Sequence, residues 1–172
     1  MAKDKPARSQ GVVGSRQKAP APVVARDDPA RADVAALLAF HHAQMLRWSP
    51  PDKVHVLPAS CLSADDVSFF SARVGGTLAG FGALREIEAG HGEIKSMRVD
   101  PAFLGTGVGE AILLHILEAA RAAGLARLSL ETGRPEPFLP AQRLYEKHGF
   151  APCRPFGDYV DDGFSMCMTR AL

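Results

Sequence analysis

The chain has 172 residues, of which 47% are hydrophobic and 23% charged, and its formal net charge at pH 7 is +1. That length suits one domain with a real core, and so balanced a charge offers no overall field to draw nucleic acid or an anionic membrane. Three cysteines, Cys61, Cys153 and Cys167, show no C-x-x-C spacing; they point away from a disulfide framework or a structural zinc site and toward reduced, buried thiols.

Residues 1–22, MAKDKPARSQGVVGSRQKAPAP, are basic, rich in Pro, Ala, Gly and Ser and poor in large apolar side chains. They are expected to form a disordered tail ahead of a domain over 23–172. The tail has no apolar h-region and no apolar run in the chain could span a bilayer, so a cytoplasmic location is expected. PVVAR (22–26) reads as a first strand. Asp28 followed by Pro29 offers a helix start, a capping carboxylate with proline at the first helical position. Val34, Leu37, Leu38, His41, Met45 and Trp48 follow at helical spacing until Ser49-Pro50-Pro51 stops the run. His41 falls on this apolar stripe as a satisfied core histidine. His41 and His42, adjacent on a helix, point about 100° apart and do not form a chelating pair, so no metal is expected.

VSFFSARV (67–74), Gly75-Gly76 and TLAGFGALREI (77–87) predict a β-hairpin, and GEIKSMRV (92–99) a third strand. From Val108 a helix apolar over most of its circumference runs to Gly124, so it should lie against a sheet. RLSLET (127–132) is a further strand, FLPAQRLYEKHGF (138–150) a short helix ending in glycine, and final strands are expected near 151–155 and 164–170.

Between the third strand and the long helix stand Gly105, Gly107 and Gly109. Glycines there let a ligand approach the backbone, and the free N–H groups of the following helical turn bind anions, commonly phosphate. The spacing is G-x-G-x-G, neither a dinucleotide G-x-G-x-x-G nor a P-loop with its lysine. A plain tight loop is the competing explanation.

MRVDPAFLGTGVG (97–109), the apolar helix, a short strand and AQRLYEKHGF (141–150) together resemble the GNAT superfamily of acyl-CoA-dependent N-acetyltransferases, over residues 23 to 170. The resemblance implies an α/β fold, a mixed curved sheet of six to seven strands splayed at its centre with helices on both faces. It implies acetyl-CoA as co-substrate, its pyrophosphate held by backbone amides over Leu104, Gly105, Thr106, Gly107, Val108, Gly109 and Glu110. Its pantetheine arm would lie along Met97, Arg98 and Val99. Two positions depart from the family pattern: Leu104 stands where Gln or Arg opens the signature, and Phe138 where many members have asparagine.

Within that resemblance Tyr145 is the candidate acid for the leaving thiolate, and Glu93 the base acting through a water, with Glu131 and His91 in reserve. The acceptor pocket would be built by the first helix, the SPPDKVHVL loop (49–57) and GDYVDDGF (157–164), with His42, His55, Glu131, Asp158 and Tyr159 as candidate substrate-binding residues. Asp158, Asp161 and Asp162 either favour a cationic amine or make an ordinary turn. No cysteine sits in the glycine loop or the late helix, which favours direct attack in a ternary complex over an acyl-enzyme. The expected activity is acetyl transfer to a primary amine of a small molecule, with no nucleic-acid or membrane partner, by a monomer or homodimer. The competing expectations are a protein or peptide lysine/N-terminal acetyltransferase, tethered to nucleic acid by the tail in one version, and a non-catalytic acyl-CoA sensor.

Overall fold

In the computed structural model, residues 20–54 and 59–172 are described. Residues 1–19 of the expected tail, and His55, lie outside them. The strands are β1 (Val23–Arg26), β2 (Val67–Val74), β3 (Thr77–Glu88), β4 (His91–Val99), β5 (Arg127–Gly133), β6 (Ala151–Cys153) and β7 (Ser165–Ala171). The helices are α1 (Ala32–Trp48), α2 (Ala59–Leu62), α3 (Val108–Ala122) and α4 (Leu139–Lys147). The strands form one sheet in the order β1-β2-β3-β4-β5-β7-β6. Its only parallel pair among the described residues is β4 with β5, which the α3 crossover makes necessary.

Two apolar layers cover the sheet. On one face Ile112, Leu113, Ile116 and Leu117 of α3 bury against Phe70, Leu84, Ile94, Leu128 and Met168. The helix lies so close because β3 has no side chain beneath it: a Cβ on Gly82 would sit 2.9 Å from Ile112 and 3.0 Å from Ile116. On the other face Val34, Leu37 and Leu38 of α1 pack with Leu62 of α2 on Phe69, Phe81 and Ala83. The alternation of β2 and β3 between two apolar partners explains why both strands read as nearly continuous apolar runs.

Two expectations need correction. α1 begins at Ala32, not beside Asp28, whose carboxylate instead accepts from Ala30 N at 2.8 Å in a turn before the helix. Asp27 and Asp33 are drawn to Arg73 at 3.1 and 2.7 Å, which fixes that turn over β2. The cysteines are free, but only Cys167 is buried; Cys61 is exposed and Cys153 intermediate.

The sheet opens at its centre. β4 pairs with β5 through His91–Ile94 and Arg127–Leu130 only. Beyond them β5 continues along β7 while β4 continues along β3, so Lys95–Val99 and Glu131–Gly133 face each other across a gap. β4 is bulged within this stretch. Lys95 is opposite Ala83 and Arg98 opposite Phe81, so Ser96 and Met97 share Gly82, and Ser96 adopts φ +50°. The extra residue inverts the side-chain alternation: Ile94 and Met97 both face α3, whereas Arg98 is delivered to the α1 face.

Candidate active site

Asp100 N donates to Ala79 O at 2.9 Å, on the β3 side of β4. Strand alternation therefore turns the peptide groups of Met97 and Val99 toward the gap, and that of Arg98 back toward β3. Of the three residues expected to run beside the pantetheine arm, Met97 and Val99 present their main chain to the opening. Next along the chain, Gly105 and Gly107 take φ +73° and +88°, with open space around both. Gly107 is the residue before the first turn of α3, and it offers no capping side chain. The N–H groups of Val108, Gly109 and Glu110 thus lack helical partners and point outward at the positive end of a 15-residue helix. Leu104 is 65% exposed and Thr106 bonds back to Phe103 O at 2.6 Å, so neither side chain fills the cradle. Glu110 is tied to Lys147 at 2.7 Å and His148 at 2.8 Å, which hold its carboxyl below the usual range and lock the start of α3 to the end of α4.

At the gap lies a cavity of about 170 Å³. Lys95, Ser96, Met97 and Arg98 of β4 form one wall, and Glu131, Thr132 and Gly133 of β5 the other. α1 contributes His41, Met45 and Trp48, α4 contributes Tyr145, and Phe138, Tyr159 and Phe164 close the sides. Phe138 meets Trp48 edge-on at 6.0 Å and Phe164 at 6.2 Å, so the departure at this position builds an aromatic wall. Gln142 donates to Gly133 O at 2.6 Å and seats α4 on the end of β5.

Tyr145 is 6% exposed, and among the described residues its hydroxyl meets only a weak acceptor, the Met97 thioether at 4.0 Å. Burial, with the Glu131 charge behind it, pushes the phenol up to about 12. It therefore stays protonated at neutral pH.

The two glutamates differ in placement. Glu131 lines the cavity directly. Glu93 is buried one layer behind: it accepts from Tyr159 Oη at 2.6 Å and pairs with Lys95 at 3.3 Å, and Tyr159 and Lys95 stand between it and the cavity. Burial and the Glu93 charge push the Tyr159 phenol up, so it too remains a donor. Of the other candidates, His42 is exposed and outside the lining. His91 lies at the closed end of β4, bonded to Glu88 and Ser129. Asp158 lines a neighbouring depression with Asp66 and Arg85, which shares Lys95 and Tyr159 with the cavity and reaches Glu93. Asp162 is a structural acid: Ser165 N and Phe164 N, with Lys53, hold it down to about 2. Asp161 accepts from Gly163 N, so Asp161 and Asp162 both bond within their own turn.

His41 reverses one expectation. It is buried, yet its Nδ1 has no partner and it lines the cavity. Burial, with Arg98 and His42 adding to it, lowers its pKa to about 4. Arg98 was expected to serve only through its main chain, but its side chain lies between Phe40 and Trp48, 5.2 Å from each ring. The sequence names no role for the side chains of Lys95 and Ser96, and places Trp48 and Phe164 near the acceptor only through their segments. His41, Met45 and Trp48 at i, i+4 and i+7 carried a usable signal, because that stripe continues past the core toward the gap.

A gapped sheet, a glycine loop at a helix N-terminus and a phenol facing the gap define an acyl-CoA-dependent acyltransferase. Residues 35–150 match the acetyltransferase (GNAT) family model, and the chain belongs to that family. It is 44% identical over 146 residues to the uncharacterized N-acetyltransferase YsnE of Bacillus subtilis (strain 168), covering 85% of this chain and 97% of the relative. It is 37% identical over 150 residues to an IAA acetyltransferase of Azospirillum brasilense, covering 87% and 97%. A crystal structure assigned as an acyl-CoA N-acyltransferase of Klebsiella pneumoniae superposes with a TM-score of 0.72 at 28% identity, covering 88% of this chain and 97% of that one. The chain is therefore a GNAT acetyltransferase using an acyl-CoA co-substrate, and no helix among the described residues is long and apolar enough to cross a membrane.

Proposed function

We propose that the protein transfers an acetyl group from acetyl-CoA to the amine of a small molecule, by direct attack within a ternary complex. The observation that carries this reading is the opening between β4 and β5, with Tyr145 and Glu131 on its walls. A cavity of about 170 Å³ is below the roughly 300–1,000 Å³ of sites that enclose drug-sized ligands, which supports a compact acceptor.

When bound, acetyl-CoA supplies an activated acetyl thioester. The residues around the gap fit it. The N–H groups of Val108, Gly109 and Glu110 hold phosphate oxygens without a side chain in the way. The peptide groups of Met97 and Val99 are free to pair along the arm, and an N–H among them polarises the acyl carbonyl. Glu131 accepts the amine's proton at its carboxylate, directly at the cavity wall. Tyr145 holds the proton that the departing thiolate needs, at an oxygen with little competing for it. Glu93, with Lys95 and Tyr159, positions the acceptor side of the wall. No cysteine lines the cavity, which supports direct attack over an acyl-enzyme.

The test is acetyl-CoA titration by calorimetry followed by free-thiol release against a panel of amines. Saturable binding with release that drops roughly 10²-fold in Glu131→Gln, and less in Glu93→Gln, is expected. Binding without release on any acceptor would replace the enzyme reading with the sensor. A larger loss in Glu93→Gln than in Glu131→Gln would return the base role to Glu93.

A further inference from the structure

Three buried polar atoms have no hydrogen-bond partner among the described residues: His41 Nδ1, Ser96 Oγ and Arg98 Nε. All three belong to residues that line the one cavity at the sheet opening. Buried polar groups are nearly always satisfied, so three orphans around a single cavity mark a place where a ligand completes the bonding. All three can donate: the guanidinium nitrogen only donates, and a hydroxyl and one imidazole nitrogen can. Whatever meets Arg98 must accept, and the other two can donate to the same group.

Charge narrows the choice. Of the cations lining the cavity, Lys53 is paired with Asp162 at 3.3 Å and Lys95 with Glu93 at 3.3 Å. Arg98 forms no ion pair among the described residues, and Asp100, two positions on, is occupied in accepting from Ala102 N at 2.8 Å. Burial depresses the Arg98 pKa even with Asp100 nearby, a sign of a cation held out of water without full compensation. Phe40 and Trp48 lie over the guanidinium, 5.2 Å from each ring centre, which fixes its plane and leaves its edge to face a partner. A planar group with two acceptor oxygens matches that edge. His41 stands beside it, 6% exposed, with a nitrogen free to donate to the same anion.

Resting on the acetyl-transfer reading above, we propose that the acceptor is an amine that also bears a carboxylate, an amino-acid-like molecule, and that Arg98 and His41 bind that carboxylate. The α1 face of β4 supplies the anion site, and Glu131 across the opening supplies the carboxylate that meets the amine. Lysine side chains and N-termini within a protein chain carry no such carboxylate and would leave Arg98 uncompensated.

Trp48 is the single tryptophan of the chain and lies against Arg98, so its fluorescence reports the site without any turnover. The full-length protein saturated with acetyl-CoA is titrated with free amino acids and with their carboxamides, and Trp48 emission and thiol release are both followed. Carboxylates should perturb Trp48 and show a KM at least about tenfold below that of the matching carboxamides. In Arg98→Gln the preference should shrink to within about threefold, with acetyl-CoA affinity unchanged as the check on folding; Arg98→Lys, keeping charge but not the planar fork, should recover part of it. Equal use of carboxamides and carboxylates would overturn the inference and leave the small-amine acetyltransferase standing. An Arg98-dependent Trp48 signal without thiol release would keep the carboxylate site and overturn the transferase reading. Neither signal with any probe would overturn both.

Discussion

Tyr145→Phe separates a structural hydroxyl from a chemical one. The ring is 6% exposed and meets Phe150 edge-on at 5.9 Å, contacts that phenylalanine keeps. The hydroxyl alone is lost, and its one described partner is a thioether at 4.0 Å. A full hydrogen bond contributes about 1 kcal/mol net, whereas a buried, poorly satisfied hydroxyl costs roughly 1–3 kcal/mol in desolvation. The variant should therefore be as stable as the parent or up to about 1 kcal/mol more stable, a rise in melting temperature of no more than roughly 2–4 °C for a chain of this size. Transfer should suffer instead: losing a positioned proton donor costs about 10²-fold in kcat, roughly 2.7 kcal/mol of barrier. Acetyl-CoA affinity, set at the glycine loop and β4, should not move. Thermal melts, calorimetry and steady-state thiol release on the two proteins read all three quantities. A variant destabilised by more than about 2 kcal/mol with normal kcat would show the hydroxyl to be a packing element and would refute the reasoning.

Gly107→Ala places a Cβ at φ +88°, which costs roughly 1–2 kcal/mol of backbone strain or twists the loop away. Acetyl-CoA affinity by calorimetry should fall about tenfold or more while melting drops only a few degrees; unchanged affinity would remove the loop from the cofactor site. His41 makes stability depend on acid. Its pKa falls from 6.5 to about 4 on folding, so the native state binds fewer protons, and the stability is present in full above about pH 6.5 and lost as pH falls toward 4. The fall from 6.5 to about 4 corresponds to roughly 3 kcal/mol. Urea midpoints at pH 7 and pH 4 should therefore drop less in His41→Asn than in the parent, and equal drops would show that His41 is not the group responsible.

Much of this was readable from residue patterns because each signal is local. Gly75-Gly76 specified a hairpin, the apolar girth of 108–122 specified a helix on a sheet, and L-Y-x-x-x-G-F fixed where Tyr145 would sit. What stayed hidden depends on non-local geometry. Strict alternation along GEIKSMRV puts Arg98 on the same face as Ile94; only the bulge at Ser96, set by the pairing with β3, sends it to α1. His41 looked like core because its stripe is apolar, and nothing within α1 says that the sheet beneath it opens. Glu93 and Glu131 sit on neighbouring strands with similar sequence settings, and their ranking depends on Tyr159 and Lys95 standing between one of them and the cavity. The acidic run at 158–162 left substrate recognition and an ordinary turn both open, because composition cannot show that backbone N–H groups already occupy Asp162.

The bulge at Ser96 also divides the labour of β4. Beyond it, one face of the strand serves the donor, with the peptide groups of Met97 and Val99 turned to the gap and their side chains on the α3 layer; the other face serves the acceptor through Arg98. Point substitutions along His41, Met45 and Trp48 can retune acceptor choice while the donor side stays untouched. Deleting residue 96 would remove the bulge yet leave Met97 opposite Gly82 and Arg98 opposite Phe81, on the faces they already hold, so the division survives it. The lineage of such an enzyme can explore new acceptors by side-chain drift on α1, while Met97 and Val99 keep the donor side of this one strand.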